Sequence, residues 1–183
     1  WDDLKIFVEY GMLSDEKFAD RSKKFTLLKN TEGDYFTFEE YAEKIKASQT
    51  DKNDKVIHLY TNDKEGQYTF IQAAKERGYD VLELESPLAS HWISKAEQMY
   101  DNISFARLDA DTLDQLIDKD EEKVSKRNDE EKENIKKAFQ STIDDQKFQI
   151  QVADLNETES QVLITQAEFI RRMQDQQKLG GGA

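Results

Sequence analysis

The chain has 183 residues, 37% of them hydrophobic, enough for one domain with an appendage or for two small ones around a real core. Charged residues make up 36% and the formal net charge is −13, a balance that repels nucleic acid and anionic membrane surfaces. Cysteine is absent, which excludes disulfides and thiolate metal sites and fits a reducing compartment, and no apolar run approaches the roughly 18 residues that span a bilayer.

In chain order, Leu4, Ile6, Phe7 and Tyr10 fall near one face of a first helix, which Gly11 is expected to end. Ser14 reads as the N-cap of a second helix whose buried stripe is Phe18, Phe25, Leu27 and Leu28, with Gly33 as the next break. Thr37 with Glu40 three positions on forms a capping box, and Phe38, Tyr41 and Ile45 face inward from the helix that follows.

The stretch from Lys55 to Asp109 then alternates strand and helix. KVIHLYTN, YDVLELES and ISFARLD read as buried strands, separated by GQYTFIQAAKERG and PLASHWISKAEQMY at helical spacing. Strands joined by crossovers of about a dozen residues imply right-handed connections and a short parallel sheet covered on both faces, so the fold class is α/β with a small α/β/α layer.

A short helix through Leu113, Leu116 and Ile117 leads into DKDEEKVSKRNDEEKENIKK, too charged to bury and therefore a solvated helix or a linker. The domain boundary is expected here, near residue 120. Ile135, Phe139 and Ile143 return to helical spacing, Phe148, Ile150 and Val152 alternate as a strand that QVLIT could pair, and AEFIRRMQDQQKL is a final amphipathic helix, the whole forming an incomplete α+β segment. Trp1 falls inside an amphipathic pattern and the chain stops after a glycine run, which reads as a piece of a longer protein.

Chemistry is sparse. Asp and Glu sit mostly in caps or beside Lys and Arg, His58 lies in an apolar strand, and His91 has no ligand partner at helical or hairpin spacing, so no metal site is expected. No HExxH, GxSxG, GxxxxGK[ST] or GxGxxG occurs. Trp92 has two open readings, packing its helix onto the sheet or standing exposed as a contact for unfolded segments. Phe169, Ile170 and Met173 pose the same question on the last helix. A rival from another class is an enzyme or regulatory domain that binds a small ligand at the strand ends near Asn62, Ser86 and Ser90; a third possibility is a purely structural module.

WDDLKIFVEYGMLSDEKFADRSKKFTLL, FTFEEYAEKIKASQ, KVIHLYTNDK, FIQAAKERGYDVLELESPLASHW and FQIQVADLNETESQVLITQAEFIRRMQDQQ resemble, nearly end to end, the bacterial branch of the ninety-kilodalton heat-shock chaperone family. The resemblance implies that residues 1–120 are the later part of that family's middle domain. Residues 121–183 would be a charged linker helix and the first part of its carboxyl-terminal dimerisation domain. It further implies a cytoplasmic, homodimeric, ATP-driven clamp that binds partly folded clients. ATP and magnesium would be held by a domain upstream of Trp1, leaving no catalytic residue, cofactor or metal here. On this resemblance the client-binding positions are His91 and Trp92, and the client helix Phe169 to Gln177 with Phe169, Ile170 and Met173.

Overall fold

The computed structural model describes residues 1–119, 127–143, 148–154 and 161–179. The chain divides into two compact units, Trp1–Asp120 together with Val162–Ala183, and Glu121–Gln161.

The first unit opens with α1 (Lys5–Ser14) and α2 (Glu16–Ser22). Gly11 lies inside α1 rather than ending it, and a Cβ there would stand 2.6 Å from Cε1 of Phe18 on α2. The glycine is used for close helix approach. Asp15, not Ser14, caps α2, its carboxylate accepting from the Phe18 N–H at 2.9 Å.

The expected second helix stops at Ser22, and Leu27 and Leu28 belong instead to a hairpin of β1 (Leu27–Lys29) and antiparallel β2 (Tyr35–Thr37). Its turn is set by Asn30, whose Oδ1 accepts from the N–H groups of Glu32 and Asp34, and by Gly33 at φ 93°. Thr37 caps α3 (Phe38–Lys46) with the expected reciprocal bonds to Glu40, and Phe38, Tyr41 and Ile45 are buried.

The parallel sheet is present as read, in the order β4-β3-β5, with β3 (Val56–Thr61) between β4 (Leu82–Glu83) and β5 (Ile103–Arg107). Its crossover helices are α4 (Tyr68–Glu76) and α5 (Ala89–Met99). Successive side chains of β3 point to opposite faces, so one strand divides two cores. Ile57 and Leu59 join Ile71, Ala74, Val81, Leu108 and Leu113, beneath α4 and α6 (Leu113–Leu116). Tyr60 joins Met12, Phe38, Tyr41, Leu82, Trp92, Ile93 and Phe105, beneath α1, α3 and α5. This is the expected α/β/α layer.

In the charge-rich region, α7 (Asp129–Gln140) starts at a capping box of Asn128 and Glu131 and buries no residue, as a solvated helix should. Residues 120–126 of the charged run lie outside the described residues. The strand expected over Phe148–Val152 is not formed, and neither is one over Gln161–Thr165. Alternation selects a face, but a strand also needs a hydrogen-bonded neighbour, and the described residues offer none there. The last helix, α8 (Glu168–Leu179), belongs to the first unit. Among the described residues no helix is long and apolar enough to cross a membrane.

Candidate functional site

The carboxyl ends of the parallel strands open into a groove of about 270 Å³ whose lining includes Tyr60, Asn62, Ser86, Ser90, Arg107 and Asp175. Asn62, Ser86 and Ser90 are the residues expected there, and they share one rim. The chain reaches α5 through a turn in which Ser86 accepts twice, from the Leu88 N–H on its hydroxyl at 3.1 Å and from the Ala89 N–H on its carbonyl at 3.0 Å. From α1, Glu9 is 2% exposed, and burial holds its carboxyl above the usual carboxylate range against the opposing pull of Ser86 and Lys5. Among the described residues Arg107 is the groove's one cation, and its guanidinium is already taken by Asp109, at 2.8 and 3.3 Å. With that cation paired and Glu85 and Asp175 on the wall, the lining repels the phosphates of a nucleotide. Among the described residues no group of three or more His, Cys, Asp or Glu could hold a metal ion.

Beside the groove, α8 is docked with its amphipathic character inverted. Glu168, Arg171, Arg172 and Asp175, at i, i+3, i+4 and i+7, face the domain, whereas an ordinary surface helix would turn its apolar stripe inward. Arg172 holds Glu97 of α5 through two nitrogens at 2.8 and 3.1 Å, Glu168 at 2.9 Å and the Phe105 carbonyl at 2.9 Å. Burial alone would lower its pKa, but these carboxylates hold it above the ordinary arginine value. The Tyr60 hydroxyl donates to Glu168 at 2.8 Å, and burial followed by that negative charge pushes the phenol well up. Arg171 pairs with Asp109 at 3.0 Å, and Ser90 donates to Asp175 at 3.3 Å. Charge-assisted bonds of this kind, partly shielded from water, contribute about 1.5–3 kcal/mol each at best and less where solvent reaches them.

The consequence falls on the predicted contact residues. Phe169, Ile170 and Met173 stand outward, 72%, 45% and 44% exposed, and form an apolar strip on the solvent side of α8. Trp92 is not with them. It is 2% exposed, packed between Phe38 and Phe105 at ring distances of 5.7 and 5.9 Å, and its indole N–H donates to Met12 Sδ at 3.3 Å. Of its two sequence readings, the geometry selects packing: a tryptophan at this position of α5 faces the sheet with Ile93 and Ala96. His91 is half-buried on the same helix, and its Nδ1 has no partner among the described residues. The structure thus brings Phe169, Ile170 and Met173 together and separates Trp92 from them by burial. The charged residues that orient α8 escape the sequence reading, although Glu168, Arg171, Arg172 and Asp175 carry helical spacing as clear as that of the apolar set.

No protein-family model matches the chain. Over its whole length it is 42% identical to the chaperone protein HtpG of Porphyromonas gingivalis. It is likewise 40% identical to that of Bacteroides fragilis and 38% to that of Bacteroides thetaiotaomicron. A solved middle domain of a Plasmodium falciparum heat shock protein aligns with 56% of this chain and 43% of its own, at a TM-score of 0.42 and 16% identity. The chain spans 27% of the length of these HtpG relatives, and every part of it finds a counterpart there. Its whole length is thus similar to one portion of the HtpG chaperones, which are of the ninety-kilodalton heat-shock family.

Proposed function

We propose that this chain supplies scaffold and part of the client-binding surface of an ATP-dependent, homodimeric chaperone of the cytoplasm. Residues 1–120 are read as the later middle domain, and residues 121–183 as the charged connection and the opening of the carboxyl-terminal domain. ATP and magnesium would be handled by regions outside this chain, so the chain alone is a binding element and not an enzyme. The observation that carries the reading is the outward apolar strip of Phe169, Ile170 and Met173 on a helix held by its charged side. Aromatic and thioether side chains adapt to many sequences, which suits a partner that is unfolded and variable.

Trp92 and His91 enter this reading differently. Trp92 serves from beneath, holding α5 and thereby Glu97, the carboxylate that grips α8; His91 supplies part of the half-exposed surface of α5. A few exposed apolar contacts worth about 1–2 kcal/mol each give micromolar-to-millimolar affinity, weak enough for release. The test is an amide NMR titration with a permanently unfolded protein, using a folded protein of similar charge as control. Selective shifts along α8 that are lost in Phe169→Ser are expected; equal shifts with both proteins, or none in α8, would remove the helix from the client surface.

A second reading, a small-ligand domain, rests on the groove with Asn62, Ser86 and Ser90. A thermal-shift screen of small polar metabolites separates it, because only that reading expects a specific compound to raise the unfolding temperature.

A further inference from the structure

We propose that α8 is an ionic latch, held on the strand ends by its charged stripe and released when those pairs are weakened, so that charge pairing and not apolar packing sets how Phe169, Ile170 and Met173 are presented. Its purpose rests on the client-binding reading above, but the docking itself does not.

Three observations converge. Neither hydrophobic core, nor any partly buried apolar residue packed against one, includes a residue of α8 among the described residues. The contacts that hold the helix are polar or ionic: Arg172 with Glu97 and the Phe105 carbonyl, Glu168 with Tyr60 and the Arg107 N–H, Arg171 with Asp109, and Asp175 with Ser90. Those pairs are neither fully buried nor fully wet, with side-chain exposures of 19% and 23% for Arg172 and Glu97 and 16% and 14% for Arg171 and Asp109. Strands β3 and β5 are instead held by a backbone ladder and two apolar cores. The two parts of one unit must therefore respond differently to ionic strength.

Salt shortens the screening length from about 10 Å at 0.1 M to about 3 Å at 1 M, weakening partly exposed pairs while leaving apolar burial intact or strengthened. A helix of 12 residues is marginal in water once undocked, so release exposes its amides to exchange.

The test is amide hydrogen exchange on the whole chain in about 0.1 M and about 1 M sodium chloride, repeated with Arg172→Met and with Glu97→Gln. Arg172→Met substitutes a residue of α8 and leaves Glu97 and the Phe105 carbonyl without its guanidinium, so β3 protection serves as the folding control in every sample. Exchange across α8 should rise roughly tenfold in high salt or in either variant, with β3 unchanged. Loss of β3 protection in Glu97→Gln alone would mean damage to the sheet, and Arg172→Met then decides the matter. Protection of α8 that is indifferent to both salt and Arg172→Met, or absent in low salt, would overturn the latch. Binding of an unfolded protein to Phe169→Ser is measured in parallel. Unchanged binding there removes the client reading while a salt-sensitive α8 leaves the latch standing, and the converse pair of results does the reverse.

Discussion

The indole N–H of Trp92 on α5 donates to Met12 Sδ on α1 at 3.3 Å, joining helices 80 residues apart on one face of the sheet. Both side chains are essentially inaccessible, at 2% and 0% exposure. Truncating Trp92→Ala removes a large ring from between Phe38 and Phe105 and leaves a cavity whose lining cannot fully collapse. A loss of about 3–5 kcal/mol is expected, read as a lower urea midpoint by circular dichroism. Trp92→Phe keeps most of the volume and should lose less. A Trp92→Ala variant of unchanged midpoint that binds clients more weakly would instead return this residue to the surface.

His58 predicts an acid-sensitive core. Its ring is fully buried among Phe38, Tyr41 and Phe105, and its Nδ1 lies 3.2 Å from the Val56 carbonyl. Burial pushes its pKa down to about 4, with the Val56 carbonyl and Glu97 pulling the other way. Unfolded histidine titrates near 6.5. The unfolded chain therefore binds the proton first, and this contribution to stability is whole above about pH 6.5 and lost progressively as pH falls toward 4. The full loss is on the order of 3 kcal/mol. In His58→Leu the slope of unfolding free energy against pH over that window should flatten, as urea titrations at a series of pH values would show; an unchanged slope assigns the acid sensitivity to other groups.

Gly11 is a spacing residue, and its replacement has a sign that depends on Phe18. In an open helix Gly→Ala stabilises by roughly 1 kcal/mol. Here the new methyl would meet the Phe18 ring at 2.6 and 2.8 Å, so Gly11→Ala should destabilise by about 1–2 kcal/mol. In a Phe18→Ala background the obstruction is gone and the same change should stabilise. A double-mutant cycle measured by urea unfolding checks this, and additive effects would refute the contact.

Much of the architecture was legible because its signals are local. The spacing of Phe38, Tyr41 and Ile45 and the Thr37–Glu40 box located α3, and the alternation of apolar segments from Lys55 to Asp109 located the parallel sheet. Legibility failed where a residue's local preference was overruled by a distant neighbour. Gly11 looks like a stop until Phe18 is placed against it, and Leu27 and Leu28 look helical until Tyr35–Thr37 supplies a strand to pair with. Phe148–Val152 shows the reverse failure, since its alternation is clear and no partner strand meets it among the described residues.

The candidate surface divides in the same way. Sequence by itself determined that Phe169, Ile170 and Met173 share a helix with a charged opposite side, that the sheet is parallel, and to which chaperones the chain is related, because periodicity and residue identity are carried along the chain. Only the tertiary structure decided which side of α8 faces inward and that Trp92 is core. Glu97, Arg107 and Asp109 lie more than 60 residues before their partners on α8, and a helix turns whichever face meets the stronger complement, here an ionic one.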